Sequence, residues 1–158
     1  MSTTTIHIYK QNLKFSSAHF LIFDSKNAEK LHGHNYQVRL DMQVKNNPVS
    51  GYSINFEDVK SEVKKLVDQL DEQVLLPEQN EEMKFKVTGK NLEVTFRDRF
   101  YSFPKNEVVL LPMVNTSVEL LSKYLAEIIF KKFSKQGAEK IRVLVEETRG
   151  QGASFSLP

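Results

Sequence analysis

The sequence contains no cysteine. Disulfides, thiolate metal sites and a cysteine nucleophile are therefore excluded, and no oxidising environment is called for. It also lacks any apolar run approaching the roughly 20 residues that cross a bilayer. Met1-Ser2-Thr3-Thr4-Thr5 offers no basic stretch followed by apolar residues, so no signal peptide is expected. Neither sign of charge dominates: 22 Lys and Arg face 20 Asp and Glu, well mixed, for a net charge of +2. A nucleic-acid partner calls for basic residues clustered on a face, and none are clustered here. There is no internal repeat and no low-complexity linker. With 158 residues, the chain is long enough for a hydrophobic core of its own. The expectation is one soluble, cytoplasmic domain spanning 1–158, without nucleic-acid or membrane partners.

Histidine is scarce too, with four in the chain, and this scarcity makes their placement informative. His32 and His34 flank Gly33. Just after them Tyr36, Val38, Leu40, Met42 and Val44 are apolar at every second position, the mark of a half-buried strand. Residues two apart on a strand project to one face, so both imidazoles stand together at its start. Gly33 leaves the opposite face bare and lets the backbone bend. His19, in Phe15-Ser16-Ser17-Ala18-His19-Phe20, lies near the end of a preceding strand and is the candidate third ligand. Three neutral imidazoles around an open fourth position is the arrangement of a catalytic zinc ion. His7, in Ile6-His7-Ile8, faces away from its apolar neighbours and is expected to take no part.

Along the chain, 6–20 read as one strand or a bent pair, 24–31 as a loop and 34–45 as a strand. Asn55 is a helix N-cap, with Glu57 and Asp58 in the first turn, where the helix dipole favours acids. Phe56, Val59, Val63, Leu66, Val67 and Leu70 form an apolar stripe ending near Asp71-Glu72. Met83, Phe85 and Val87 alternate, as do Leu92, Val94 and Phe96, around Thr88-Gly89-Lys90-Asn91; 83–103 is thus an inserted hairpin, with Phe100, Tyr101 and Phe103 as an added short strand. Thr116-Ser117-Val118-Glu119 is a capping box opening a second helix, with Gly137 as its stop. Ile141, Val143 and Val145 alternate on a further strand, and 153–157 pair as the last. This order is α+β: an antiparallel sheet with two helices on one face.

A metal centre with an open position needs a group that moves protons. Glu29, three residues before His32, is one candidate; as it stands it also reads as a solvated loop carboxylate. Asp71 and Glu72 are others, because acids at a helix C-terminus oppose the dipole. Glu147 continues the apolar face of Ile141, Val143 and Val145, and an inward carboxylate needs a partner. A basic neighbour would serve; so would a ligand edge with paired N–H donors, such as a pterin or guanine.

Taken together, His19, Leu31-His32-Gly33-His34-Asn35-Tyr36, Ile54-Asn55-Phe56-Glu57-Asp58-Val59-Lys60, Leu70-Asp71, Asn115-Thr116-Ser117 and Val145-Glu146-Glu147-Thr148 resemble the 6-pyruvoyl-tetrahydropterin synthase family, which includes the 6-carboxy-tetrahydropterin synthases of queuosine biosynthesis. The resemblance implies a tunnelling fold with a four-stranded antiparallel sheet and two helices. It also implies homo-oligomers, trimers or hexamers, with active sites between subunits. Zinc would sit on His19, His32 and His34, and Glu147, with Thr116 and Ser117, would hold a pterin. Two departures stand out. Those synthases carry a cysteine shortly before His-Gly-His, where this chain has Ser25-Lys26-Asn27-Ala28-Glu29-Lys30. They usually read Leu-Asp-His where this chain reads Leu70-Asp71-Glu72. Glu29-Lys30-Leu31-His32-Gly33-His34 instead resembles a cysteine-less branch with Glu-x-x-His-Gly-His. That branch cleaves 7,8-dihydroneopterin triphosphate to 6-hydroxymethyl-dihydropterin for folate synthesis. The implied function is a zinc-dependent carbon–carbon or carbon–oxygen lyase of that kind; the alternatives are 6-pyruvoyl or 6-carboxy synthase activity, or pterin binding without turnover. Lys26, Lys30 and Arg142 are the basic residues to consider for a triphosphate, though such residues are usually solvated surface.

Overall fold

The computed structural model describes residues 2–158. The elements run β1 (Thr3–Ile8), β2 (Lys14–His19), β3 (His32–Lys45), α1 (Phe56–Leu70), β4 (Gln73–Pro77), β5 (Met83–Thr88), β6 (Asn91–Phe96), β7 (Arg99–Pro104), β8 (Val108–Leu111), α2 (Val118–Phe133), β9 (Ala138–Thr148) and β10 (Gln151–Leu157). The larger sheet has seven strands in the order β10-β9-β3-β2-β4-β8, with β1 also paired to β3. The expected four-stranded, wholly antiparallel sheet is therefore corrected. The sheet is larger, and β2–β4 and β4–β8 are parallel pairs. Parallel neighbours need no hairpin between them, so no turn in the sequence announces them. β4 and β8 are short apolar runs bounded by prolines, a pattern that periodicity alone leaves unassigned.

The chain divides into two compact units. The first comprises the chain up to Phe15, Asn35–Gln69 and Val118–Pro158. Here β3 follows the expected alternation: Tyr36, Val38, Leu40, Met42 and Val44 are all fully buried. β9 supplies Ile141, Val143 and Val145 to the same core, and α1 supplies Val59, Val63 and Val67. Phe15 stacks on Tyr36 with centroids 4.6 Å apart. The Asn55 side chain accepts from the Glu57 N–H at 2.9 Å, as an N-cap should. Gly137 ends the α2 segment with φ of 97°, a left-handed conformation that suits glycine. β9 and β10 are antiparallel, with a register shift opposite Glu147. At Gly152 an added Cβ would lie 2.2 Å from the Val145 carbonyl oxygen, so only glycine fits there.

The second unit comprises Ser16–His34 and Leu70–Ser117. Its core is Phe20, Leu76, Met83, Leu92, Val94 and Phe96. The inserted segment folds as a separate three-stranded antiparallel sheet, β5-β6-β7. Tyr101 and Phe103 of β7 pack against that core, so β7 is a full third strand beside the expected hairpin.

Candidate metal centre and proton-transfer site

His19 ends β2, and His32 and His34 open β3. An added Cβ at Gly33 would stand 3.3 Å from the Ser17 carbonyl oxygen, so this glycine lets the start of β3 lie close against β2. The three rings meet: centroids are 5.0 Å apart for His19–His32, 5.3 Å for His19–His34 and 4.7 Å for His32–His34. One ring nitrogen from each lies within 4.8 Å of the other two. Three nitrogens around a tetrahedral zinc, each at about 2.0–2.1 Å, stand about 3.3 Å apart, so the spacing suits one ion with small movements.

The second ring nitrogens decide which atoms face inward. His19 Nδ1 lies 3.0 Å from the Thr116 carbonyl oxygen and 3.2 Å from its hydroxyl. His32 Nδ1 lies 2.7 Å from the Lys30 carbonyl oxygen. A carbonyl only accepts, so both Nδ1 atoms carry hydrogen and both Nε2 atoms present lone pairs, the tautomer that outer partners impose on metal-bound histidines. The Nε2 atoms of His32 and His34 are 2.9 Å apart, a pair that needs a proton or a cation between them. Burial, above all, pushes the His19 pKa below its ordinary value; the Thr116 carbonyl pulls the other way, and His32 and His34 add to the lowering. His19 is thereby kept neutral, as a ligand must be.

Glu29 comes to this cluster. Its Oε2 lies 3.7 Å from His32 Nε2 and accepts from the Leu21 N–H at 3.0 Å. Its carboxylate remains about one-third exposed. Thr116, fully buried, meets the site through His19, a role that the capping-box reading does not contain. Next to it, Asn115 holds the backbone of Ile22 through both its side-chain oxygen and nitrogen.

Asp71 and Glu72 sit at the end of α1, against β2. Asp71 Oδ1 accepts from the Ser16 N–H at 2.7 Å, and the Glu72 N–H donates to the Ser16 carbonyl at 2.7 Å. Glu72 adopts φ of 57°. Neither carboxylate is hydrogen-bonded to the three histidines. Ser117 follows Thr116 just before α2. Glu147 lies in the first unit and is half-buried, with Gln151 Nε2 donating to its Oε1 at 2.5 Å. The buried acid of that strand is its neighbour Glu146, paired with Arg39 at 3.2 Å and accepting from the Gly150 N–H. The register shift at this point breaks simple alternation, which is why alternation alone picks only Glu147. His7 points outward as expected but is engaged: its Nδ1 is 2.6 Å from Asp41 Oδ1, which Tyr9 also reaches. Burial would raise the Asp41 pKa, but the hydrogen bonds from Tyr9 and His7 outweigh it and hold the carboxyl below its usual range. Arg142 donates to the Ser154 hydroxyl at 3.0 Å.

The family model for 6-pyruvoyl tetrahydropterin synthase matches residues 7–157. The chain belongs to this family. A Methanocaldococcus jannaschii protein assigned as a 6-carboxy-5,6,7,8-tetrahydropterin synthase is 31% identical over 146 residues, covering 90% of this chain and 89% of that protein. The crystal structure of 6-pyruvoyl tetrahydropterin synthase from Plasmodium vivax matches with a TM-score of 0.90 at 27% identity, covering 99% of both chains. A variant of the P. vivax synthase, described as a catalytic residue mutant with glutamate replaced by alanine, matches with the same TM-score of 0.90 at 26% identity and 99% coverage of both chains. Members of the family are lyase-type enzymes acting on pterins. Among the described residues, no helix is long and apolar enough to cross a membrane.

Proposed function

We propose that the protein is a zinc-dependent lyase that cleaves the side chain of 7,8-dihydroneopterin triphosphate to 6-hydroxymethyl-dihydropterin, serving folate synthesis in the cytoplasm. The observation that carries the proposal is the carboxylate of Glu29 beside three converging histidines, in a chain with no thiol to do the same task. The P. vivax synthase supports it, since a glutamate is named as a catalytic residue of that protein.

His19, His32 and His34 would hold zinc, which when bound supplies a Lewis acid that makes substrate hydroxyls easier to deprotonate. Glu29 takes the proton from the side-chain hydroxyl on C2′. The C1′–C2′ bond breaks as that oxygen becomes a carbonyl. The electron pair moves onto C1′ and the ring conjugated with it, and a proton returned to C1′ completes the hydroxymethyl group. The leaving fragment is the triphosphate-bearing aldehyde. Thr116 and Lys30 keep the imidazoles in the ligand tautomer. Glu147 is the proposed anchor for the N–H edge of the pterin, with Thr116 and Ser117 as further binding residues. Asp71, whose carboxylate holds the Ser16 N–H of β2, and its neighbour Glu72 are proposed as supporting acids. By analogy with its family, the protein is proposed to act as a trimer or hexamer.

Making the 6-pyruvoyl product instead requires a carbon-bound proton to be removed, and the lack of cysteine disfavours that. The likeness to the M. jannaschii protein keeps 6-carboxy synthase activity as the second reading. Incubating zinc-loaded protein with 7,8-dihydroneopterin triphosphate and separating the pterins distinguishes them. 6-Hydroxymethyl-dihydropterin is the expected product. A 6-pyruvoyl or 6-carboxy product would move the assignment to that alternative, and tight binding without turnover would make the protein a pterin binder.

A further inference from the structure

The three-stranded sheet β5-β6-β7 has no part in the chemistry above, yet two of its arginines reach the loop that carries Glu29. We propose that Arg99 is a positioning residue for Glu29, and that this sheet is the brace that sets the carboxylate's place. The inference rests on the proton-transfer role proposed for Glu29.

The loop between β2 and β3 is itself a small hairpin. Ile22 and Ala28 form a bridge, the Phe23 N–H donates to the Asn27 carbonyl at 2.9 Å, and the Asp24 carboxylate closes the tip by accepting from the Lys26 and Asn27 N–H groups. Its base is pinned at Glu29 twice over. The Glu29 N–H donates to the Leu21 carbonyl at 2.8 Å, and the Leu21 N–H donates to Glu29 Oε2 at 3.0 Å. Asn115 holds one side of this hairpin through Ile22. The inserted sheet holds the other. Arg99 donates from Nη1 to the Glu29 carbonyl and from Nη2 to the Ala28 carbonyl, the latter at 3.2 Å. Arg97, at the β6–β7 turn, donates to the Asp24 carbonyl while its fork is gripped by Glu82 at 2.5 and 2.7 Å.

Arg99 is half-buried, and its guanidinium carbon lies 5.6 Å from the Phe20 ring centre and 5.7 Å from that of Phe96. A guanidinium seated by two aromatic rings with two donors on adjacent carbonyls is fixed in direction. Two of its donors are committed to backbone carbonyls of this loop. The main chain at Glu29 is thus held from both sides, and the side chain has its reach set by Leu21. Placement of this kind matters because a shift of about 1 Å in a reacting group can cost about 100-fold in rate.

The test compares Arg99→Met and Arg99→Lys with Lys84→Met, which removes an exposed cation from the same sheet. Turnover, KM, zinc content and amide hydrogen exchange are measured on each zinc-loaded protein. Arg99→Met should lower kcat by about 10- to 100-fold with KM and zinc content little changed. The Leu21 and Glu29 amides should exchange at least about tenfold faster, while those of β6 stay protected. Arg99→Lys should recover part of the loss, since one ammonium keeps the charge without the fork. Lys84→Met should match the parent. In a Glu29→Gln background, Arg99→Met should have little further effect on kcat, because the two act as one unit. Full, multiplicative losses in the double variant, unchanged exchange at Leu21, or loss of zinc in both Arg99 variants would overturn the brace. A Glu29→Gln protein as fast as the parent would instead sink the role of Glu29, and faster exchange in Arg99→Met would still report the brace on the loop.

Discussion

Replacing Glu29 by Gln removes a charge but leaves an oxygen able to accept from the Leu21 N–H. Fold and zinc content should survive, while turnover falls about 10²–10⁴-fold, the usual worth of a general base; steady-state kinetics beside metal analysis checks both. His7→Ala should keep all of its zinc, because His7 is engaged with Asp41, whereas His32→Ala or His34→Ala should lose most of it. For His19 the pH dependence follows from burial, which lowers its pKa in the folded chain. Unfolding returns it to about 6.5. Between those two values the unfolded chain binds a proton that the folded chain does not, so stability present above about pH 6.5 is lost as pH falls toward the lowered value. The urea midpoint of the metal-free protein should therefore drop between pH 7 and pH 5.5, and drop less in a His19→Asn variant. Glu147→Gln places a donor where the proposed ring edge also donates, and pterin affinity should weaken by a few kcal/mol, as for other charged hydrogen bonds (about 1.5–3 kcal/mol), measured by calorimetric titration. The histidine set was legible in the sequence because His-x-His at a strand start is a geometric statement. Thr116 as the partner of His19 was not, since that hydrogen bond joins residues 97 apart.

At the scale of elements, local signals read well and pairing signals did not. The Asn55 cap, the β5–β6 turn and the Gly137 stop each depend on residues a few positions apart, and each is present. The α1 stripe is buried at Val59, Val63, Val67 and Leu70, with Leu66 half-buried, whereas Phe56, in the first turn, is exposed. β4 and β8 depend on distant parallel partners, and nothing near them in the chain specifies that pairing. The β9–β10 pair offers a direct check on how much one close approach matters. Gly152→Ala would push a methyl group onto the Val145 and Glu146 backbone, where the neighbour is main chain and cannot swing aside. A loss of more than about 2 kcal/mol is expected, within the range of strain-driven substitutions, read from the denaturant midpoint. Gly89→Ala, with nothing within 4 Å of the added carbon but φ of 60°, should cost less.

At the scale of the whole molecule, both units are assembled from separated stretches of chain, and all three histidines belong to the second. Mixing inactive Glu29→Gln and Glu147→Gln proteins under conditions that exchange subunits tests whether one copy completes another, as the proposed oligomer requires. Recovered turnover supports shared sites, and its absence in mixed oligomers places both residues in one copy's site. The carboxylate beside the histidines has one more consequence, which concerns the cell's chemical weather. A thiolate in that position would climb from sulfenic to sulfonic acid under peroxide and stop working; a carboxylate has no such ladder to climb. With methionine its only sulfur-containing residue and the proton-transfer role proposed for Glu29, this protein should keep its turnover through hydrogen peroxide exposure that silences a Glu29→Cys variant.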